Sequence, residues 1–547
     1  MKAKQKFKIK EMRNKGITLI ALAITIIVLL ILASITIGAI SGDNGILNNA
    51  GKAKEDTEIS QEKEIIQTAA VQSMGNNKRG NLERDEFEKE LNKQSKQTGT
   101  IEVSDIGEEF EVFFTESERY YEVDKDGNVT QIITEENTAE TPIYWEKTTK
   151  TDEEWYSYAD ISNGNEEVKV NEPKLRGAMT PIKYVGEDAE SQTGSKWANA
   201  ITQDGSMWVW IPRYAYKITS GYHEAGTDTT GGTIEIAFID TENNFLNGET
   251  GILVTDPSEV TYTNNVQNEW LVHPAFTSNA ENGGGFGELT GIWVGKFETT
   301  GSYDSATGIR TVTILPGKRN DLGNMTINEM YKLAKSTTFE ENMTLNSHMA
   351  KNSEWGAIAY LTQSKYGVNG KEIEVNANSG ATGGSNNEKT IYVANKGQST
   401  TNNAYGVYDM KGGLWEAVAS YVNYTRENDV WSNGGYGEKE SLVGENEIEK
   451  ATSTAYKTVY EAANNTNQID SYNLTEKRKG DAIWEISSTQ GGFTGIWFNG
   501  YNNFAVWTYI FFIRGGNYYK IDHANIFAFN YYLGDGTGAT FRSILTF

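Results

Sequence analysis

The carboxyl-terminal segment, Trp497 to Phe547, interleaves two kinds of position along its length. The first kind is apolar, glycine or arginine and forms a framework: Phe511, Phe512, Arg514, Gly515, Gly516, Ile526, Phe527, Phe529, Phe541, Arg542, Ile544 and Leu545. The second kind holds Tyr, Asn, Asp, His, Thr and Ile in loose order. Binding residues are commonly carried on segments that a rigid scaffold positions. The segment therefore predicts a fixed framework that presents an exchangeable surface.

The composition of this segment is biased in a specific way. It lacks Glu, Gln and Met and has a single lysine, Lys520, although Glu, Lys and Gln are frequent elsewhere in the chain. Asn, Tyr, Asp, His, Ile, Leu, Thr, Ala and Gly are all encoded when the adenines of an Asn codon are exchanged at random. Glu, Gln, Met and Lys are not encoded in this way. The bias indicates that the loose positions arose by substitution at Asn codons.

Two stretches carry a resemblance to known families. The order RGGNYYKIDHANIFAFNYY (514–532) and then FRSIL (541–545) resembles the variable region of target proteins of diversity-generating retroelements. Upstream, NAYGVYDMKGGLW (403–415) followed by Glu416 is similar to the signature of the formylglycine-generating enzyme fold, a variant of the C-type lectin fold that such target proteins use. The resemblance implies an α+β chain with a lectin-like domain over residues 197–547. Because one fold hosts many functions, the signature does not by itself imply chemistry.

The candidate ligand-binding residues are the loose positions that flank the framework. They are Tyr501, Asn502, Asn503, Thr508, Tyr509, Tyr518, Tyr519, Ile521, Asp522, His523, Tyr531, Tyr532, Leu533, Asp535, Thr537 and Thr540. Tyrosine suits recognition because it buries a large area at low entropic cost and its hydroxyl adapts to polar partners.

The alternative is that these aromatic residues are ordinary core, which is the better interpretation for Phe511, Phe512, Phe527 and Phe529. Neighbouring side chains on a strand point to opposite faces. We therefore expect at least one tyrosine of each adjacent pair, 518–519 and 531–532, to be exposed.

Other polar residues in the two stretches are predicted to be structural. Arg514 and Arg542 adjoin apolar runs, which favours ion-pair or backbone-binding roles, and Asp409, Trp415 and Glu416 belong to a signature that enzyme relatives share. The resemblance implies no catalytic role for them.

Catalysis, metal binding and cofactor binding are not expected. The chain has no cysteine, which excludes the formylglycine-generating reaction because enzymes of that family work through active-site cysteines. The histidines lack the spacing of a zinc site; they are His223, His273, His348 and His523. The formal net charge of −25 argues against a nucleic-acid partner, because phosphate binding requires clustered Lys and Arg.

The amino terminus predicts a membrane anchor. Residues 1–15 are basic, and no charged residue occurs from Gly16 to Gly42. About 20 apolar residues cross a bilayer as a helix, and the basic flank stays cytoplasmic, so the rest of the chain is expected on the cell surface. The leader resembles that of type IV prepilins, in which prepilin peptidase cuts after the glycine, here Gly16, and methylates the new terminus, here Ile17.

The prepilin resemblance leaves two alternatives open. Ala21 stands where pilins usually carry a glutamate that offsets the terminal ammonium of a neighbouring subunit. A subunit at the tip of a pilus has no such neighbour, so the chain fits a tip or minor subunit that contacts other pilin subunits. It fits equally a protein anchored in the membrane through residues 17–42 that never assembles into a filament.

The whole chain divides into five predicted segments. We expect a leader (1–16), a transmembrane and pilin-like helix (17–75), a small pilin-type β domain (76–134), an acidic linker (135–196) and the lectin-like domain (197–547) with its variable region (497–547). Within the last domain, apolar runs predict strands at 207–214 and 291–298, and helical spacing predicts helices at 326–336, 346–364 and near 451–463.

Three functional interpretations follow. The first is a surface-displayed binding protein that is diversified to meet changing protein or glycan ligands on cells, phages or host surfaces. The second is an undiversified structural minor pilin or prophage-encoded surface protein. The third is an enzyme of the formylglycine-generating fold with altered chemistry. The Asn-codon bias favours the first.

Overall fold

The computed structural model describes residues 46–76, 82–94, 101–106, 109–114, 119–124, 127–132, 141–177, 179–337, 339, 345–378, 381–384, 391–423, 454–461, 478–488, 495–505, 509–532 and 538–547. The chain divides after Gln131 into two compact units. Both combine helices with antiparallel strands, so the chain has an α+β fold.

The first unit packs two helices with a small sheet. Its elements are α1 (Ile46–Asn76), α2 (Arg84–Gln94), β1 (Ile101–Ile106), β2 (Glu109–Phe114), β3 (Arg119–Val123) and β4 (Val129–Ile132). The strands lie in the order β1-β2-β3-β4. Ile66, Ala70, Phe87 and Val112 are buried in their common core. The Tyr121 hydroxyl ties the sheet to α1 by donating to the buried Glu62 carboxylate at 2.5 Å.

The first unit covers part of the helix predicted at 17–75 and most of the β domain predicted at 76–134. A helix runs from Ile46 to Asn76, and four strands form a small sheet between Ile101 and Ile132; their pilin-like character stays a prediction. Residues 17–45, including the predicted membrane span, lie outside the described residues. Within the part of the chain that the structure describes, no helix has both the length and the apolar character of a membrane span.

The second unit is dominated by short strands. Its helices are α3 (Ile327–Ser336) and α4 (Asn352–Gln363). Its strands are β5 (Trp145–Lys147), β6 (Tyr158–Asp160), β7 (Glu166–Val168), β8 (Thr180–Tyr184), β9 (Asn199–Ile201), β10 (Met207–Pro212), β11 (Tyr214–Ser220), β12 (Thr233–Phe238), β13 (Leu253–Val254), β14 (Tyr262–Thr263), β15 (Val266–Gln267), β16 (Trp270–Val272), β17 (Gly291–Gly295), β18 (Thr300–Asp304), β19 (Ile309–Thr313), β20 (Asn320–Asp321), β21 (Ser347–Met349), β22 (Trp415–Asn423), β23 (Thr458–Glu461), β24 (Phe511–Arg514), β25 (Phe529–Tyr532), β26 (Ala539–Phe541) and β27 (Ser543–Leu545).

Two sheets organise this unit. The larger has the order β21-β27-β17-β10-β9-β8-β5, and the second has the order β23-β22-β24-β25 with β26 also paired to β22. A further sheet, β12-β11-β16-β13, adjoins the core. The carboxyl terminus contributes to both main sheets, since β24, β25 and β26 lie in one and β27 lies in the other. The segment that carries the candidate site is therefore hydrogen-bonded into both main sheets.

The apolar runs account for the central strands. Every residue of β10, MWVWIP, is buried, because β9 and β17 flank it within the large sheet and both of its faces are covered. Trp210 of β10 lies opposite Trp293 of β17. The predicted strands at 207–214 and 291–298 are thus confirmed as β10 and β17, although each ends earlier than predicted.

Helix α3 also begins as the sequence predicts. The Thr326 hydroxyl accepts a hydrogen bond from the Glu329 amide, and the Glu329 carboxylate accepts one from the Thr326 amide. This reciprocal capping box satisfies two amides at the helix start.

Two predicted helices are wrong in part. The helix predicted from Asn346 begins only at Asn352, because Ser347–Met349 form β21 against β27. Near residues 451–463, Thr458–Glu461 form a strand parallel to β22 instead of a helix.

The acidic linker predicted at 135–196 is wrong for its described residues. Strand β5 pairs with β8, and β8 pairs with β9 at the edge of the large sheet. Trp155 is buried and its indole N–H donates to the Asn199 carbonyl at 2.7 Å. Apolar residues such as Trp145 and Trp155 are core residues here, spaced too widely among Glu and Thr to form a periodic pattern.

Candidate ligand-binding face

The candidate site is carried by the β24–β25 pair and by the residues that connect them. Strand β24 is antiparallel to both β22 and β25, which places Arg514 opposite Glu416 on one side and Phe529 on the other. The connection from Gly515 to Ala528 leaves the sheet and returns to it. Its backbone is held by buried contacts at both ends.

The Arg514 guanidinium fixes the start of this connection. It lies over the Trp355 ring at 5.5 Å and donates hydrogen bonds to the Ala528 carbonyl at 3.1 Å and to the Asn352 side-chain oxygen at 2.9 Å. It also donates to the carbonyls of Asp481 and Ala482. Burial lowers the pKa of Arg514 to about 10. The predicted backbone-binding role is confirmed.

Gly515 and Gly516 make the turn that follows. Both have left-handed backbone conformations, with φ of 85° and 88°, which glycine adopts without steric cost. A Cβ atom on Gly516 would lie 2.5 Å from the Cα of Ala524. After this turn the Tyr518 amide donates to the Gly413 carbonyl at 2.9 Å, which joins the connection to the residues that precede β22.

A second segment, Tyr501 to Asn503, lies alongside the connection. The Tyr501 amide donates to the His523 carbonyl at 3.0 Å, and the Phe529 amide donates to the Tyr501 carbonyl at 2.9 Å. The Asn503 amide in turn donates to the Phe529 carbonyl at 3.1 Å. The backbone therefore brings two parts of the predicted site together.

Side chains from these two segments, from β25 and from Tyr509 before β24 form one surface, which we call the exposed face. Its most accessible apolar members are Tyr519, Ile521 and Tyr531, with exposed fractions of 62%, 45% and 38%. Lys520, Asp522 and His523 are also exposed, and the others are half-buried. The exposed face comprises Tyr501, Asn502, Asn503, Tyr509, Tyr518, Tyr519, Lys520, Ile521, Asp522, His523, Asn530 and Tyr531.

Side-chain contacts connect the first half of the exposed face. The Lys520 ammonium donates to the Tyr501 hydroxyl at 3.0 Å, a bond that raises the pKa of Lys520. The Tyr501 ring packs on His523, with ring centres 4.6 Å apart, and on Trp415 at 5.6 Å. Tyr501 thus rests on Trp415, the first residue of β22, and contacts Lys520 and His523 beside it.

The second half of the exposed face is joined in the same way. The Asn503 side-chain amide donates to the Asn530 side-chain oxygen at 3.1 Å, and the Tyr531 backbone amide donates to the same oxygen at 3.0 Å. The Tyr531 ring lies 5.0 Å from the Tyr509 ring. Since Asn503 is two residues from Tyr501, the two halves are continuous.

The expectation for the tyrosine pairs is confirmed. Tyr519 and Tyr531 are exposed, Tyr518 is half-buried, and Tyr532 is buried. The four residues that were assigned to the core, Phe511, Phe512, Phe527 and Phe529, are all buried.

Two predicted ligand-binding residues are placed in the interior and are corrected here. Tyr532 is 7% exposed and packs in the apolar core, because alternation along β25 turns it away from the side that carries Tyr531. Thr540 is fully buried in β26 opposite Glu416, and its hydroxyl donates to the Thr299 carbonyl at 2.5 Å. Four further predicted positions, Thr508, Leu533, Asp535 and Thr537, lie outside the described residues, as do Gly16 and Ile17.

Lys520 and Asn530 belong to the exposed face but were not predicted. Lysine is not encoded by the exchange at Asn codons that is considered above, and Lys520 was not among the predicted residues. Its position between the predicted ligand-binding residues Tyr519 and Ile521 already indicated that its side chain lies on the surface. Asn530 adjoins the Tyr531–Tyr532 pair, and its residue type alone would have included it.

A buried group of ionisable side chains lies next to the framework. Arg542 pairs with Glu416 through two contacts, Nε to Oε2 at 2.9 Å and Nη2 to Oε1 at 2.5 Å. It also donates to the Gly295 and Tyr408 carbonyls. The predicted ion-pair role of Arg542 and the structural role of Glu416 are confirmed.

Glu298 and Asp409 complete this group. The Asp409 carboxylate accepts from the Asn376 side chain and the Gly383 amide, each at 2.8 Å. One Glu298 oxygen accepts from the Leu414 amide at 3.0 Å, whereas the other is buried without a hydrogen-bond partner among the described residues. Burial raises the pKa of Glu298 well above its usual range, and the neighbouring carboxylates of Asp409 and Glu416 raise it further.

The histidines do not converge in the described structure. His273 is buried against Tyr214 and Tyr216, and burial lowers its pKa to about 3. The buried His348 pairs with Glu354 at 2.9 Å, whereas His523 lies on the exposed face. Over the described ranges, no group of three or more His, Cys, Asp or Glu side chains is arranged to hold a metal ion.

Comparison of the sequence with protein family models and with curated proteins gives no match.

Proposed function

We propose that the chain is a surface-displayed ligand-binding protein of the adhesin or receptor-binding type, whose exposed face is diversified by a retroelement. Binding rests on contact between the exposed face and a ligand on a cell, phage or host surface. It requires neither a cofactor nor a catalytic residue.

One observation carries the proposal. Within a single segment, Arg514, Phe527 and Phe529 are buried and hold the backbone, whereas Tyr519 and Tyr531 project outward. Side chains that contribute little to the core are exchanged at small cost to stability. A segment so divided supports the presentation of changing side chains on a constant frame.

The proposal includes a lectin-like fold of the formylglycine-generating enzyme type for the second unit. The residues of the NAYGVYDMKGGLW signature and the closing Phe541-Arg542 meet in the core, where Arg542 contacts both Glu416 and the Tyr408 carbonyl. This meeting of the two stretches that carry the resemblance supports their interpretation as one framework.

The proposal also includes anchoring by the amino-terminal segment. Its support is the sequence alone: a basic leader, the uncharged run that begins at Gly16, and the resemblance to prepilins at Gly16 and Ile17. The part of the chain that follows the anchor would then be displayed outside the membrane, either at the tip of a pilus or directly on the cell surface.

Sequencing the locus in sibling isolates tests the proposal. We expect a nearby near-repeat of the coding segment that differs from it only at adenines, together with a reverse transcriptase gene. Differences between isolates should fall at codons of the exposed face and leave Arg514, Phe527 and Phe529 unchanged. A locus without repeat or reverse transcriptase, and with identical segments in every isolate, would contradict diversification.

A further inference from the structure

We infer that Asn525 is a positioning residue, which joins the connection between β24 and β25 (515–528) to the residues beside it (497–503) and stays constant while its neighbours are exchanged. This inference rests on the proposed function and names a residue that the diversified segment cannot exchange. From the sequence, Asn525 was assigned neither to the framework nor to the ligand-binding residues.

The residue type of Asn525 is that of an exchangeable position. It lies two residues after the exposed His523, in a segment whose composition indicates substitution at Asn codons. Its side chain is nevertheless completely buried, unlike those of the nearby Asp522 and His523. A polar group that is buried without a hydrogen-bond partner costs free energy, so buried side chains of this kind are almost always paired. The partners of the Asn525 amide group therefore indicate its role.

The turn that begins at Asn525 is fixed by the framework. The Asn525 side-chain oxygen accepts from the Phe527 amide at 2.7 Å, and its backbone carbonyl accepts from the Ala528 amide at 3.0 Å. Between them, the Ile526 carbonyl accepts from the indole N–H of Trp355, a residue of α4, at 2.7 Å. The Asn525 side chain therefore starts from a backbone whose position helix α4 sets.

The other end of the Asn525 side chain reaches residues 497–503. Its nitrogen donates to the Trp497 carbonyl at 3.4 Å and to the Phe498 carbonyl at 3.5 Å. The same nitrogen packs on Gly500, where an added Cβ atom would lie 2.0 Å from it. Gly500 has φ of −88°, which any residue adopts. Glycine is therefore required at this position by the closeness of Asn525 and not by the backbone conformation.

These contacts set how two parts of the exposed face lie relative to each other. Directly after Gly500, the Tyr501 amide donates to the carbonyl of His523, which lies two residues before Asn525. The Tyr501 side chain also contacts Lys520 and His523. A ligand that touches both parts meets a preorganised surface only while Asn525 holds them in place, and preorganisation lowers the cost of binding.

Hydrogen exchange of the full chain, measured by mass spectrometry, tests the positioning role. Asn525→Asp keeps the acceptor for the Phe527 amide but replaces the nitrogen donor by an oxygen, which repels the two carbonyls that it faces. We expect exchange in fragments covering 499–503 to accelerate by about tenfold or more, because a buried group loses its hydrogen-bond partner. Fragments covering β10 (207–212) should keep their protection, which a general loss of stability would not allow.

The matched control is Asn530→Asp. Asn530 lies on the exposed face, and its side-chain oxygen accepts from the Asn503 side chain and from the Tyr531 amide. Aspartate provides the same acceptor, so exchange in 499–503 should equal that of the unaltered chain. Equal acceleration in this control, or equal acceleration in 499–503 and 207–212 for Asn525→Asp, would overturn the positioning role.

A double-mutant cycle tests the contact between Gly500 and Asn525 itself. Gly500→Ala should accelerate exchange in 501–503, because the added methyl group displaces the Asn525 side chain. Combined with Asn525→Ala, which removes that side chain, the same methyl group should have a smaller effect. The acceleration in the double variant is therefore expected to be less than the product of the two single accelerations. A double variant that shows the full product would contradict the contact.

Sequences from sibling isolates test the constancy of Asn525. Its codon should be the same in every isolate while those of Asp522 and His523 differ, although an Asn codon offers adenines for exchange. Free variation at Asn525 would overturn the inference and leave the proposed function intact. A locus that is nowhere diversified would contradict the proposed function, and the exchange measurements would then still uphold or overturn the positioning role.

Discussion

Arg542 and Glu416 form a two-point ion pair inside the protein, with both contacts at 2.9 Å or less and both side chains removed from solvent. They lie 126 positions apart in the sequence. The pair joins the residue that follows β26 to strand β22. Through Arg542 it also reaches the Gly295 carbonyl at the end of β17, so that one guanidinium links both main sheets.

Replacing Arg542 by Met should destabilise the second unit by about 3–5 kcal/mol, because the buried Glu416 carboxyl would lose its counterion and both hydrogen-bond donors. Guanidinium unfolding followed by Trp fluorescence measures this, since every tryptophan of the chain lies after residue 141. The matched control is Lys183→Met, which removes partly exposed pairs to Asp152 and Glu154. It should cost about 1 kcal/mol or less, and equal losses in the two variants would contradict the account.

Gly516→Ala should destabilise the second unit by more than the ordinary cost of a left-handed alanine, which is about 1 kcal/mol. The added Cβ would lie 2.5 Å from the Ala524 backbone and force the connection between β24 and β25 to shift. Gly538→Ala is the control, because Gly538 also has positive φ but has open space around its Cβ position. Measured under the same conditions, the free energy of unfolding should be lower for Gly516→Ala than for Gly538→Ala. Equal values would show that the close approach at Gly516 is relieved without cost.

The second unit should lose stability as the pH rises from about 5 to 7. Burial raises the pKa of Glu416 to about 7, that of Glu485 to about 6 and that of Glu298 well above its usual range. At these carboxyls the folded state binds more protons than the unfolded state above the unfolded pKa near 4.5, so their contribution to stability is fully present below that value and is lost as pH rises toward the folded values. His273 and His223 act in the opposite direction below about 6.5, because burial lowers their pKa values. The carboxyls outnumber them, since Asp409 and Asp481 also have raised pKa values. Each such group contributes a slope of up to about 1.4 kcal/mol per pH unit.

Unfolding midpoints measured between pH 5 and 7 test whether stability falls with pH. The variant Glu298→Gln tests whether Glu298 contributes to that fall. Glutamine mimics the neutral carboxyl, so the variant should show a shallower fall with pH than the unaltered chain. A stability that increases across this window, or a slope that Glu298→Gln leaves unchanged, would contradict the assignment.

Much of the framework could be predicted from the sequence, because its signals are local. The apolar run MWVWIP predicts the buried strand β10, and the Thr326–Glu329 capping box predicts the start of α3, without reference to any distant residue. The start of α4 was missed because all of its residues are buried, so apolar spacing gives no clear boundary. The short strand Ser347–Met349 exists only because β27 pairs with it.

The candidate site could likewise be predicted where the signal is local, and could not where it depends on pairing between distant strands. Alternation within β25 was enough to predict that one of Tyr531 and Tyr532 is exposed, but not which one, since that depends on the register between β25 and β24. Thr540 was misassigned because its position opposite Glu416 depends on a pairing between residues far apart in the chain. Residue type marked the candidate segment, and the pairing of distant strands decided which of its side chains face outward.

The central claim is that the framework holds the fold while the outward side chains of the exposed face contribute little to it. Guanidinium unfolding of a variant with Tyr519, Ile521, Asp522 and Tyr531 all replaced by Ser, followed by Trp fluorescence of the full chain, tests this most directly. We predict a loss of about 2 kcal/mol or less for the four changes together, against about 3–5 kcal/mol for the single change Phe527→Ala in the buried frame. A fourfold variant that loses as much stability as Phe527→Ala would contradict the account.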